Sequence, residues 1–323
     1  MNYRAPWWLP GGNLQTIAAA KLARTFLGPA PLFRRERWDT PDQDFIDVDW
    51  LDKPSAPGAP LWLMFHGLEG SSSSHYALAC AEHARARGFG FAVAHFRGCS
   101  GELNLAPRAY HSGDHQEIAW ILERMRMAHA GPIFAIGISL GGNALLRWVQ
   151  EAGQTASKQV NAVAAVCSPI DLAASGRAIG RGFNRQVYTR MFLRSMVPKA
   201  LAKLRQFPRL FDEAALRAAR DLYEFDNVFT APLHGFRDTE DYWYRASAKP
   251  HLARIRIPAL VLNARNDPFI PAACLPEPQG VGQYVTLWQP AQGGHVGFPT
   301  GAPPGQATAL PQALAGWFAQ HSA

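Results

Sequence analysis

In Pro132-Ile133-Phe134-Ala135-Ile136-Gly137-Ile138-Ser139-Leu140-Gly141-Gly142-Asn143-Ala144-Leu145-Leu146, a short apolar run gives way to a helix-forming run at one serine set among glycines. Pro132–Gly137 reads as a buried strand and Leu140–Glu151 as a helix, joined by the G-x-S-x-G turn Gly137-Ile138-Ser139-Leu140-Gly141. A turn this tight crowds the positions two residues either side of the serine. Gly137 and Gly141 remove that collision, and Gly142 lets the helix lie close to the sheet. Ser139 then stands at a helix N-terminus, where free N–H groups favour negative charge. A serine that merely caps a helix is the alternative; the preceding strand and following helix favour a nucleophile elbow.

Outward from this turn, strands and helices alternate. Arg34–Thr40 and Phe45–Leu51 form an antiparallel pair, and a Pro/Ala/Gly stretch, residues 54–60, leads into the strand Leu61–Phe65. A helix (His75–Arg87), a strand (Phe89–His95) and a helix (Asp114–Ala128) precede the turn; the strand Val160–Val166 follows it. The rhythm resumes with strands Ala259–Asn263 and Tyr284–Gln289 and a last helix, Gln306–Gln320. This pattern predicts an α/β fold, a mostly parallel central sheet with helices on both faces, whose chemistry sits at the C-terminal ends of strands. Residues 1–170 and 250–323 form the expected core, and 171–249 an inserted helical, basic lid.

Composition narrows the possibilities. A chain of 323 residues, 48% hydrophobic and 18% charged, can bury a large core. Its longest near-continuous apolar stretch, Val160 to Cys167, is far short of the roughly 20 residues a membrane span needs. Lys21 and Arg24 interrupt the apolar segment near the N-terminus, which argues against a secretory signal. Cys80, Cys99, Cys167 and Cys274 are scattered without C-x-x-C spacing, pointing to a reducing cytoplasm rather than a disulfide framework or zinc knuckle. The net charge of +7 does not read as nucleic-acid binding, because no nucleic-acid motif accompanies it. The charge is instead concentrated between Arg177 and Arg220, where eleven Lys/Arg face only Asp212 and Glu213.

A serine hydroxyl needs a base, and the base an orienting acid. With the order Ser, then Asp/Glu, then His, the candidates are Asp267 in Asn266-Asp267-Pro268 and His295 in Gly293-Gly294-His295-Val296-Gly297. Each follows a strand, on the same sheet edge as Ser139. Asp171 is the reserve acid. Stabilising the oxyanion takes two N–H donors, assigned to Leu140 and to Leu68 in His66-Gly67-Leu68-Glu69-Gly70. His66 reads as a buttress of that loop. Asp114 or Ser112 reads as a helix cap rather than part of a metal site with His111 and His115. Arg97 and Glu102, in Arg97-Gly98-Cys99-Ser100-Gly101-Glu102, read as a loop brace or a lining of the site. In the insertion, Phe183, Val187, Met191 and Tyr188, Phe192, Met196 make two adjacent apolar rows, with arginines on other faces.

The elbow, the His66-Gly67 loop and the Ser–Asp–His order resemble the α/β-hydrolase superfamily. Longer strings, Trp7-Trp8-Leu9-Pro10-Gly11-Gly12-Asn13-Leu14-Gln15-Thr16, Phe96-Arg97-Gly98-Cys99-Ser100-Gly101-Glu102, Tyr110-His111-Ser112-Gly113 and Gly294-His295-Val296-Gly297-Phe298, resemble its YheT-like branch. That branch comprises bacterial hydrolases related to eukaryotic medium-chain phospholipases and plant EMB8-type proteins. Asn13 stands where the branch pattern has His; the insertion matches mainly at Ala231-Pro232-Leu233-His234-Gly235-Phe236. The resemblance implies an ester hydrolase of EC class 3.1.1, with Ser139, Asp267 and His295 at the family's catalytic positions.

The expected chemistry needs no metal and no organic cofactor, and the expected partner is a small-molecule or lipid ester. An acyltransferase using the same residues, or a ligand-binding sensor with vestigial turnover, is the alternative. The basic insertion has two readings, a lid that packs its apolar face on the core and solvates its charges, or one that also makes weak contact with a membrane surface.

Overall fold

The computed structural model describes residues 2–52 and 56–322, so positions 54 and 55 of the Pro/Ala/Gly stretch lie outside the described residues. Among the described residues eight strands form one sheet: β1 (Phe33–Asp39), β2 (Phe45–Leu51), β3 (Leu61–Phe65), β4 (Gly90–Ala94), β5 (Ile133–Ile138), β6 (Ala162–Val166), β7 (Ala259–Leu262) and β8 (Val285–Trp288). Their order is β1-β2-β4-β3-β5-β6-β7-β8. Only the β1–β2 and β2–β4 pairs are antiparallel; the remaining neighbours run parallel.

β3 shows why the sheet is covered on both faces. All five of its residues are buried. Leu61, Leu63 and Phe65 pack with Ile118, Ile121 and Leu122 of one helix and Leu145, Leu146 and Val149 of another. Trp62 and Met64 point the other way, into a cluster with Ala77, Cys80, Leu314 and Phe318. A strand packed on both sides has no use for polar alternation, and each large side chain so buried stabilises the fold by about 1.5–3 kcal/mol. The covering helices are α2 (His75–Arg87), α3 (His115–Ala128), α4 (Leu140–Ala152) and the last helix, Ala309–Phe318. In α3 the buried Ile118, Ile121, Leu122 and Met125 make one helical stripe, and Asp114 caps it by accepting from the Glu117 N–H.

Several boundaries differ from the expected ones for local reasons. β6 begins two residues late because the Val160 N–H closes a turn onto Ala156, while the Asn161 side chain accepts the Ile133 N–H. The last helix starts at Ala309 because Gln306 is bridged to Arg24 and Thr300. The unforeseen element is α1 (Gly11–Lys21), which opens on two glycines. A Cβ on Gly12 would lie 1.8 Å from the Asn266 carbonyl oxygen, so α1 sits against the segment that carries Asp267.

Between β6 and β7 the described chain is helical, with α5 (Leu172–Ile179) and a longer helix, Arg190–Gln206. Of the two apolar rows, Tyr188 and Phe192 pack against Phe269, whereas Phe183, Val187 and Met191 remain 53%, 37% and 49% exposed. Among the described residues no helix is long and apolar enough to cross a membrane.

Two glycine substitutions should move stability in opposite directions. A Cβ at Gly141 would stand 2.5 Å from the carbonyl oxygens of Phe65 and His66, whereas Gly316, inside the last helix, has nothing within 4 Å. In urea denaturation, Gly141→Ala should cost about 1–3 kcal/mol, and Gly316→Ala should gain up to about 1 kcal/mol.

Candidate active site

Ser139 links β5 to α4 with φ 51° and ψ −119°, a conformation that a residue with a Cβ adopts only at a cost of about 1–3 kcal/mol. The turn is held by the Ser139 N–H donating to the Val166 carbonyl at 2.8 Å and by the Gly142 N–H returning to the Ser139 carbonyl at 2.9 Å. A Cβ on Gly137 would lie 2.4 Å from the Gly142 Cα and 2.6 Å from the Gly141 oxygen, the collision expected of this turn. Gly141 is required for a different reason: its missing side chain would strike the end of β3. Gly142 leaves room for Ser168, whose Oγ would be 1.8 Å from an added Cβ.

The structure brings Ser139, His295 and Asp267 together. Ser139 Oγ lies 2.9 Å from His295 Nε2, and His295 Nδ1 lies 2.8 Å from Asp267 Oδ2. Because the carboxylate accepts only, Nδ1 carries the proton and Nε2 is left to accept from the serine hydroxyl. The second Asp267 oxygen accepts the Phe269 N–H at 2.8 Å, and the Phe269 ring packs 4.2 Å from the imidazole. Asp267 is buried, and the His295 side chain is only 10% exposed.

What holds the His295 loop is side-chain hydrogen bonding, in part from α1, an element that sequence reasoning passed over. Thr16 Oγ1 accepts the His295 N–H at 2.8 Å. Gln15 Oε1 accepts from the Gly293 N–H and from Asn266 Nδ2, both at 2.9 Å, and Asn266 Oδ1 accepts the Gly294 N–H at 3.0 Å. Cys167 Sγ accepts the Val296 N–H at 3.2 Å, and His75 Nε2 lies 2.9 Å from the Val296 carbonyl. Gln15 has no solvent exposure, so each of these bonds replaces one that water cannot supply. The one sequence signal for these residues is the string Gly11-Gly12-Asn13-Leu14-Gln15-Thr16, which carries the family resemblance but no chemical pattern. Asn13, its departure from the branch pattern, accepts from the Tyr188 hydroxyl at 2.9 Å.

Leu140 is the first residue of α4, so its N–H has no partner within the helix. The Leu68 N–H belongs to the turn closed by the Gly70 N–H on the Gly67 carbonyl, and a Cβ on Gly67 would come within 3.2 Å of the Ser139 Cβ. Leu68, Leu140, Ser139 and His295 all line one cavity of about 160 Å³. His66 stands behind the loop: Nδ1 lies 2.7 Å from the Gly67 carbonyl and Nε2 accepts the Phe96 N–H at 3.0 Å. Complete burial pushes its imidazole down to about 3, so it stays neutral as a structural buttress.

The other candidates stand outside the triad, although Arg97, His111 and Ser112 line the same cavity. Asp171 caps α5, accepting the Ala174 N–H at 3.0 Å. The His111 ring lies tilted 4.4 Å from that of His234, and burial lowers both imidazoles to about 3, while His115 turns to the Gly113 carbonyl. Arg97 is both a brace, to Asp42, Asp44 and Glu117, and a lining residue of the cavity; Glu102 pairs with Arg37 instead. Among the described residues, the three potential metal ligands that converge are Cys167, Asp267 and His295. Burial raises the Cys167 thiol well above its usual range, and the other two already satisfy each other, so this cluster reads as a hydrogen-bonded relay.

A mostly parallel sheet, a strained serine at the end of a central strand, and an acid and histidine delivered from the last two strands define the α/β hydrolases. The chain belongs to the α/β-hydrolase fold family, whose model matches residues 60–302. It is 39% identical over 280 residues to YheT of Escherichia coli (strain K12), covering 83% of this chain and 81% of that one. It is 30% identical over 299 residues to phospholipase ABHD3 of Mus musculus, covering 89% and 72%. An esterase structure from Pyrococcus furiosus shares the fold with a TM-score of 0.55 at 15% identity, over 91% of this chain and 94% of that one. Within the family the chain is an esterase- or lipase-type hydrolase, a carboxylic ester hydrolase.

The His66 burial has a testable sign. Its folded-state pKa lies below the unfolded value, so the stability it contributes is complete above about 6.5 and is lost as pH falls toward about 3. The stability difference between the wild type and His66→Asn should therefore shrink across that window in urea titrations; a constant difference would contradict the assignment.

Proposed function

We propose that the protein hydrolyses carboxylic esters through a Ser139–His295–Asp267 triad. The observation that carries this is the continuous pair of contacts, 2.9 Å from Ser139 Oγ to His295 Nε2 and 2.8 Å from His295 Nδ1 to Asp267 Oδ2. As the hydroxyl attacks the ester carbonyl, His295 takes its proton, and Asp267 stabilises the imidazolium and holds its tautomer. The N–H groups of Leu68 and Leu140 receive the negative charge that develops on the carbonyl oxygen. His295 then protonates the departing alcohol, and water, activated by the same imidazole, releases the acid and restores Ser139.

The substrate reading rests on the cavity wall. Beyond the serine it is lined by Phe192, Met196, Phe225 and Phe229, an apolar surface suited to an acyl chain. Phe192 and Met196 belong to residues 171–249, which we assign as the lid. The similarity to a phospholipase supports a lipid ester. Its four cysteines are free, which suits the cytoplasm we assign to it.

A fluorophosphonate probe should label Ser139 and leave Ser139→Ala unmodified by mass spectrometry. Asp267→Asn should lose activity by a factor on the order of 10⁴, as expected when the imidazole loses its orienting carboxylate. Asp171→Asn should stay near wild type; the reverse order would reassign the acid. Product analysis with added alcohol separates hydrolysis from acyl transfer, and stoichiometric labelling without turnover would favour a sensor.

The exposed row Phe183, Val187 and Met191 lies beside Arg181, Arg190 and Arg194, which are also exposed. We assign this face to weak docking on anionic lipid. Vesicles containing anionic lipid should bind the protein at low salt and release it as screening shortens to about 8 Å near physiological salt. Phe183→Ser with Met191→Ser should abolish flotation while hydrolysis of a small soluble ester continues.

A further inference from the structure

The loop that carries Leu68 is tied to the helix above the cavity by one side chain with no role in the triad. Glu69, the next residue, has φ 58°, a conformation that needs support in a residue other than glycine. Its N–H donates to the Tyr110 hydroxyl at 3.1 Å, and that hydroxyl donates back to Glu69 Oε1 at 2.9 Å. Lys199, on the helix Arg190–Gln206, reaches down to the same carboxylate, with Nζ 3.0 Å from Oε1 and 2.9 Å from Oε2. The Glu69 side chain is 10% exposed and Lys199 37%, so the pair is partly shielded from water and salt. Tyr110 itself is fixed by stacking on Phe96, whose N–H donates to His66.

The geometry follows from the backbone. The Glu69 N–H and φ fix the plane of the Leu68–Glu69 peptide, adjacent to the Gly67–Leu68 peptide whose N–H is the donor assigned to the oxyanion hole. Tyr76 fixes the other side by accepting the Gly67 N–H at 3.0 Å. The Leu68 donor is therefore clamped from both directions, and one clamp ends on the insertion. We propose that Glu69 is a positioning residue for the oxyanion hole, and that Lys199 couples it to the overlying helix, so that the donor at Leu68 is aligned only with that helix in place. This rests on the triad and oxyanion assignment above. It adds that the insertion acts on the rate of the chemical step as well as on access to the cavity.

The test separates a positioning role from a substrate contact. Lys199→Met and Glu69→Gln should each lower kcat on a short p-nitrophenyl ester by about tenfold or more, with KM within twofold, because a misaligned donor weakens the transition state alone. An alkylboronic acid, whose serine adduct places an anionic oxygen in the hole, should lose affinity by the same factor as kcat/KM falls. Lys199→Arg should restore kcat to within about threefold, since it keeps the cation. Unchanged kcat in both Lys199→Met and Glu69→Gln would overturn the proposal. So would a loss confined to KM with boronate affinity intact, which would make Lys199 a substrate contact. A thermal midpoint of Lys199→Met matching the wild type keeps misfolding out of the comparison, and Glu69→Gln reads the same ratio independently. Turnover that persists in Ser139→Ala would sink the underlying triad reading instead, whatever the Lys199 variants do.

Discussion

The backbone at Ser139 is the constraint from which the rest of the site follows. β5 ends so close to β3, β6 and the start of α4 that side chains at 137, 141 and 142 would each meet atoms within 2.6 Å. The strained φ of 51° survives because the Ser139 N–H is already committed to β6 and the helix returns two N–H groups to the Ser139 carbonyl. One arrangement thus leaves the Leu140 N–H without a helical partner and brings the hydroxyl to the edge where β7 and β8 release Asp267 and His295.

Regular structure delivers the acid and the histidine to that edge, but it does not fix them there. The His295 loop leaves β8 without secondary structure to hold it, and its N–H groups are taken up by Thr16, Gln15, Asn266 and Cys167. A buried hydrogen bond contributes only about 1 kcal/mol net, yet losing one partner exposes the full desolvation cost of the other. Helix α1 is therefore as much a part of the site as the strands, although it lies more than 250 residues from His295 along the chain.

The sheet was legible because its strands are short, apolar and bounded by turn residues, and because β3 and β5 are buried on both faces. The serine turn was legible because its glycines have a steric purpose that sequence spacing exposes. Order along the chain and placement after strands pointed to Asp267 and His295, which the structure brings to Ser139. Gln15 and Thr16 were not legible as clamps: the string that holds them carries a family resemblance but no chemical pattern, and their partners are distant in sequence. The same reason hid the split of Arg97 and Glu102 between different partners. Between β6 and β7 the two apolar rows were visible, but which of them faced inward depended on Phe269, a contact across 77 residues that spacing within the helix does not encode.

The central claim, that the ester carbonyl is attacked by Ser139, is tested most directly by trapping the intermediate. The protein is mixed with a p-nitrophenyl ester, quenched in acid within the turnover time, digested and mapped by mass spectrometry. The account predicts the acyl mass on the peptide containing Ser139, at up to one equivalent per chain, and its disappearance on longer incubation once the substrate is consumed. An acyl adduct on any other residue that forms and decays at the rate of turnover would contradict it.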